Sequence, residues 1–184
     1  MLTVAPDNDL QRSFDFGSDG TAPWYALRVK ARHEKSTASI LHDKGYTEFL
    51  PLCTSTRRWS DRIQRVNLPL FPGYVFCRFE FNDRLAILKT PGVVHIVGIG
   101  NRPQPVDPQE IVNLQAIVKS GLLTQPWPFL KVGEHVIIQD GPLRDVEGIL
   151  TEIRSLDHLV VSITLLHRSV AVRVERSWVR PIAA

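Results

Sequence analysis

The sequence predicts a two-part α+β chain, a sheet with helices followed by a small closed β-barrel, and three observations carry that prediction. Residues 24–121 alternate β-rich runs with helical spacings. Residues 122–130, LLTQPWPFL, break all periodicity around two prolines. Residues 131–184 then crowd five short β-rich runs and tight turns into one short stretch without a helical pattern. Alternating strands and helices suit a sheet with helices on one face. A helix-free series of short strands suits a barrel. A proline-rich segment between them makes an extended, semi-rigid connection, across which the two halves move relative to each other.

Taken in order, residues 1–23 mix Asp, Ser, Gly, Asn and Pro without periodicity and read as a flexible extension. WYALRV (24–29) is a strand. In the segment that follows, Thr37, Ile40, Leu41 and Lys44 fall at helical spacing and Gly45 supplies a stop. YTEFLPL (46–52) reads as a strand and leads into the polar, basic run CTSTRRWSDRIQRVN. LPLFPGYVFCRF (68–79) follows, and its Tyr74–Phe79 portion is apolar on both alternate faces, as in a strand covered from two sides. NDRLAILKTPG is a short helix ended by Pro91 and Gly92, and VVHIVGI (93–99) is a further strand. The strongest helix signal is DPQEIVNLQAIVKSG. Asp107 suits the N-cap, Pro108 the first helical position and Glu110 the third, an Asp form of the capping box, with Gly121 at the far end. Ile111, Leu114, Ile117 and Val118 make its apolar stripe.

Composition places the 184-residue chain among globular proteins, with 43% hydrophobic and 22% charged residues. No apolar run reaches the roughly 18–20 residues that span a bilayer, and the amino terminus lacks a secretory layout, so a cytoplasmic location without membrane contact is expected. The net charge of +3 is unevenly spread. Residues 1–23 carry four acids against one base, whereas residues 24–65 carry nine Lys/Arg against four Asp/Glu. A local cationic zone in a nearly neutral chain points to contact with a phosphate backbone. Cys53 and Cys77 have neither CxxC spacing nor a His pair, so no metal site and no cofactor is expected, and both read as small hydrophobes. GxxxxGK[ST], GxGxxG after a strand, HExxH and GxSxG are all missing, and the six histidines are scattered singly. The expectation is a binding module rather than an enzyme.

WYALRV, LFPGYVFCRF (70–79) and GVVHIVGIGNRPQPVDPQE (92–110) resemble, in that order, the amino-terminal (NGN) domain of the NusG family of transcription elongation factors. GEHVIIQDGPLRDVEGIL (133–150), with Gly141 and Gly148 at its turns, resembles the family's KOW motif. The resemblance implies a ferredoxin/RNP-like antiparallel sheet with helices over 24–121, a linker at 122–130 and an SH3-like KOW barrel over 131–184. It also implies that the first domain binds the clamp helices of RNA polymerase's largest subunit and holds the clamp closed, which reduces pausing and termination. The barrel is then expected to recruit a second protein, either Rho or a small-subunit ribosomal protein.

Carried onto this chain, the polymerase-facing patch falls on Phe71 with Leu70, Tyr74, Trp24 and Tyr25. Pro72 and Gly73 are expected to turn the corner so that Phe71 projects toward the partner, where an aromatic anchor supplies about 2 kcal/mol or more. Arg57, Arg58, Arg62 and Arg65 fall where the family approaches the non-template DNA strand, with Trp59 placed to stack on an unpaired base. The barrel's partner-binding positions fall on Leu143, Val146, Leu165, Leu166 and Arg168. Here the chain departs from the general factor, which carries aromatics at these places, and aliphatic anchors bring Rho binding into question. The basic RRWSDR run before PLFPGY is similar to the specialised branch, the RfaH-like and polysaccharide-cluster antiterminators. A housekeeping NusG that couples polymerase to Rho or the ribosome is one alternative. A KOW-type RNA-binding or ribosome-associated protein is another, although residues 131–184 balance seven Lys/Arg with seven Asp/Glu. Conversion of the barrel to helices is not expected, because VVSITLL and SVAVRV are β-rich. A monomer is the default.

Overall fold

A computed structural model describes residues 22–59, 62–100, 102–128, 133–153 and 156–182. The first sheet is antiparallel and built from β1 (Trp24–Val29), β2 (Thr47–Phe49), β5 (Tyr74–Arg78) and β6 (Val93–Ile96), in the order β2-β5-β1-β6. Strand alternation divides its side chains into two faces. Tyr25, Leu27 and Val29 of β1 join Val75 and Cys77 of β5 on one face, where Ala38 and Leu41 of α1 (Glu34–Asp43) and Ile87 of α2 (Arg84–Leu88) cover them. Trp24, Ala26 and Phe76 lie on the other face, in one buried cluster with Leu70, Phe71 and with Ile111, Leu114 and Ile117 of α3 (Pro108–Ser120). The expectation of helices on one face is therefore corrected. The doubly apolar β5 had already implied a cover on each side.

The polar run after residue 52 is not an irregular loop. β3 (Leu52–Trp59) and β4 (Arg62–Pro69) form a separate two-stranded hairpin with continuous register from Leu52↔Pro69 to Trp59↔Arg62. Its Thr, Ile, Val and Trp residues favour extended backbone, and the strands pair only with each other, so the pattern needs no apolar face. A second, smaller hairpin joins β7 (Gly98–Ile99) and β8 (Arg102–Pro103).

α3 begins as expected. Asp107 accepts a hydrogen bond from Gln109 N at 2.8 Å, Pro108 opens the helix, and Gly121 closes it in the left-handed region at φ 67°. The capping box itself is not made. The Glu110 carboxylate accepts a hydrogen bond from Thr164 N at 3.0 Å, in the barrel, because a neighbouring fold element offers it a better-placed donor than its own helix.

The second sheet runs β14-β10-β11-β12-β13-β9. It contains β10 (Glu134–Ile138), β11 (Glu147–Ile153), β12 (Leu156–Ile163), β13 (Arg168–Arg173) and β14 (Val179–Pro181). The sixth strand, β9 (Thr124–Pro128), comes from the segment read as a connection: it is extended, but paired with β13 along its whole length. Val136, Ile138, Leu143, Val146, Leu159, Val161, Ile163, Val170 and Val172 are buried in the same cluster as the second face of the first sheet. A continuous apolar core thus joins the two parts. Gly148 is demanded by packing, since a Cβ there would lie 2.6 Å from Val160 O on the neighbouring strand.

Among the described residues, no helix is long and apolar enough to cross a membrane.

Candidate protein-binding site

The corner Leu70-Phe71-Pro72-Gly73-Tyr74 enters β5 directly. Gly73 has φ 82°, a left-handed conformation that side chains disfavour, and a Cβ there would collide with the Arg28 guanidinium. Its N–H donates to Glu34 Oε1 at 2.8 Å, so a buried carboxylate from the first turn of α1 pins the corner from beneath. Arg28 lies over the Tyr74 ring at 4.9 Å. Neither Arg28 nor Glu34 carries a local sequence signal for this role. Arg28 reaches the corner because β1 pairs with β5, opposite Tyr74, and Glu34 because α1 packs against β5.

Phe71 does not project. It is 1% exposed, with its ring edge-on to Phe76 at 5.8 Å. Leu70 and Trp24 are buried in the same cluster, and the Arg78 guanidinium lies 5.0 Å over Trp24. Tyr25 belongs elsewhere: alternation along β1 turns it to the opposite face, 4.6 Å from Phe79. Burial pushes its phenol pKa up. Of the five expected residues, four therefore meet on one face, and Tyr74 is the one that stays partly open.

The barrel residues sort in the same way. Leu143 and Val146 are buried core side chains, not loop-tip anchors, because the turn after β10 lies against α3 and carries them into the shared cluster. Leu165 and Leu166 sit half-buried against the shared cluster. Arg168 is exposed and lies 5.5 Å over the Tyr74 ring, on the N-terminal domain. Thr164 N meets Glu110 as described, and Asn113 Nδ2 donates to Glu147 O at 3.5 Å. Burial at this contact raises the Glu110 pKa, against the lowering effect of the Thr164 bond. The barrel's candidate surface thus meets the first domain's candidate surface. Tyr74 holds a cation on the near side from Arg28 and one from Arg168 across the contact.

The candidate nucleic-acid residues lie on the hairpin, with Arg57, Arg58 and Trp59 on β3 and Arg62 and Arg65 on β4. Their side chains fall outside the described residues. Cys77 is fully buried, and desolvation pushes its thiol up to about 12, which makes it a poor nucleophile; Cys53 is also shifted up by burial. No group of three or more His, Cys, Asp or Glu side chains able to hold a metal occurs among the described residues.

The family model described as transcription termination factor nusG matches residues 22–115. The transcription termination/antitermination protein NusG of Neisseria meningitidis is 30% identical over 173 residues, which cover 86% of this chain and 97% of that protein. Its namesake from Thermus thermophilus is 28% identical, covering 85% and 96%. Among solved structures, one titled "Domain interaction in Thermotoga maritima NusG" superposes with a TM-score of 0.53 at 23% identity, over 88% of this chain and 97% of that one, and shares the fold. Since the family match takes in the whole first sheet, α1, α2 and the first half of α3, and the relatives align along nearly their full length, the chain belongs to the NusG family of transcription termination and antitermination factors.

Proposed function

We propose that this chain is an operon-directed antitermination factor whose two binding surfaces cover each other until it is recruited. The first domain binds the clamp helices of RNA polymerase through the Tyr74 corner and the Leu70–Phe71 shelf beneath it, holding the clamp closed and reducing pausing. Arg57, Arg58, Arg62 and Arg65 on the hairpin meet the non-template DNA strand, and Trp59 stacks on an unpaired base. The barrel, once released, engages a second protein, a small-subunit ribosomal protein or Rho, through Leu165, Leu166 and Arg168.

The observation that carries this reading is the reciprocal contact: Arg168 of one candidate surface rests on Tyr74 of the other. Around it, the polar contacts between the two parts include Glu110 to Thr164 and Asn113 to Glu147. The apolar core shared by the two parts carries most of the contact, so release follows when a partner such as the clamp helices covers the same side chains in the barrel's place. Reversing the contact with Glu110→Lys and Asn113→Lys is expected to raise capture of core RNA polymerase. Tyr74→Ala in that background is expected to lower capture again by about tenfold, the loss of one modest anchor. Equal capture by all three proteins would sink the assignment.

A further inference from the structure

The connection between the two domains is a strand with two different edges. Pro126 and Pro128 have no N–H, yet β9 pairs with β13 over five positions, from Thr124↔Val172 to Pro128↔Arg168. Arg173 N donates to Leu123 O at 3.2 Å, which marks Leu123 as a position bonded to β13. Alternation then makes Gln125, opposite Ala171, and Trp127, opposite Ser169, the next bonded positions. Pro126 and Pro128 fall between them, with their ring nitrogens directed away from β13. The missing donors cost the ladder nothing, and the outer edge is left unable to template another strand. Trp127 adds a partial cover over Ile149, Val160 and Ala171.

Only residues 121–123 separate the end of α3 from the start of β9. They are turned tightly: Gly121 is left-handed, Leu122 N donates to Ser120 Oγ at 3.2 Å, and Thr124 Oγ1 donates to Leu122 O at 3.0 Å.

We propose that β9 is a detachable strap that gives the tether two lengths. With β9 on β13, the barrel pivots about three residues, a reach of roughly 10 Å at 3.3 Å per residue. With β9 peeled away, the tether runs from Gly121 to Gly133, and the same rise gives roughly 43 Å. β9 is the separable element because it is terminal in its sheet, because its attachment to β13 rests on alternate residues only, and because its one large side chain is half-buried. The use of the long state, widening the space in which the barrel finds its second protein, rests on the function proposed above; the two lengths do not.

The test uses the full chain carrying Glu110→Lys and Asn113→Lys, without polymerase or any second protein, and hydrogen exchange in the unaltered chain reads the strap without any release of the barrel, so its failure is distinct from failure of that function. Gln125→Pro removes a donor facing β13, whereas Thr124→Pro places the same ring on the outward side. A Gln125→Cys/Ala171→Cys disulfide, made with Cys53→Ser, locks the strap. In small-angle scattering, Gln125→Pro is expected to lengthen the maximum dimension by roughly 30 Å over the locked form, the difference between the two reaches. Thr124→Pro and the parent are expected to fall between these limits. Equal dimensions for the Gln125→Pro and locked forms, or equal lengthening by both prolines, would overturn the proposal. In the unaltered chain, the amides of Gln125 and Trp127 are expected to exchange hydrogen at least about tenfold faster than those of Val170 and Val172, which face β12. Equal rates would overturn it as well.

Discussion

Replacing Phe71 with Ala tests where the corner's ring resides in solution. Phe71 is 1% exposed and packed edge-on against Phe76. Truncating a fully buried Phe costs about 3–5 kcal/mol, a large share of the roughly 5–15 kcal/mol that holds a domain together. With a urea dependence of about 2 kcal/mol per M, the unfolding midpoint is expected to fall by roughly 1.5–2.5 M. Phe71→Leu keeps most of the volume and is expected to cost about 1.5 kcal/mol or less. Circular dichroism together with tryptophan fluorescence follows the transition, since Trp24 lies in the same cluster. A midpoint that moves by less than about 0.5 M for Phe71→Ala, below 1 kcal/mol at that slope, would refute the buried placement and restore the projecting ring read from the sequence. If the large loss is found, reduced polymerase capture by Phe71→Ala reports a damaged domain, and Tyr74→Ala becomes the cleaner probe of contact.

Three further outcomes are expected. Gly73→Ala forces a left-handed alanine, about 1–2 kcal/mol, and drives Arg28 off Tyr74, about 0.5–1 kcal/mol more; an unchanged urea midpoint would remove the need for glycine. The Glu110 pKa is raised while the barrel is docked and returns toward the ordinary range on release, so the docked state holds the proton more tightly. Docking is therefore strongest below the ordinary carboxylate pKa and weakens as pH rises through the docked value; scattering between about pH 4 and 8 reads this, and a Glu110→Gln profile as steep as the parent's would reject Glu110 as the cause. Arg58→Glu with Arg62→Glu is expected to cut read-through in transcription on a DNA template several-fold while leaving capture of DNA-free polymerase unchanged. Equal loss in both assays would argue against a strand contact.

Local chemistry made much of this protein legible in its sequence. The Asp107-Pro108 start and Gly121 end of α3, the β-rich runs of the barrel and the doubly apolar β5 are set by neighbouring residues, whose caps, periods and turns act over a few positions. Gly73 was visible as the glycine of a Pro-Gly corner, and the structure supplies the atoms that require it; Gly148, expected at a turn, lies instead within β11, where Val160 O on the neighbouring strand leaves no room for a Cβ. Side-chain destinations were less legible. Trp24 and Tyr25 are adjacent in the chain and sit on opposite faces of one sheet, because a strand alternates and only the second layer decides which face each partner covers. Glu110 was suited to its own helix cap, yet it bonds Thr164, 54 residues away, because a carboxylate goes to the donor that tertiary packing brings. The segment 124–128 was extended by its prolines, a local property. That it pairs with β13 depended on a strand formed more than forty residues later. Backbone conformation was thus largely determined by the sequence near each residue. Burial, partner and exposure were decided only when the sheet, α3 and the barrel met, since these belong to contacts between distant segments and to no single stretch of chain.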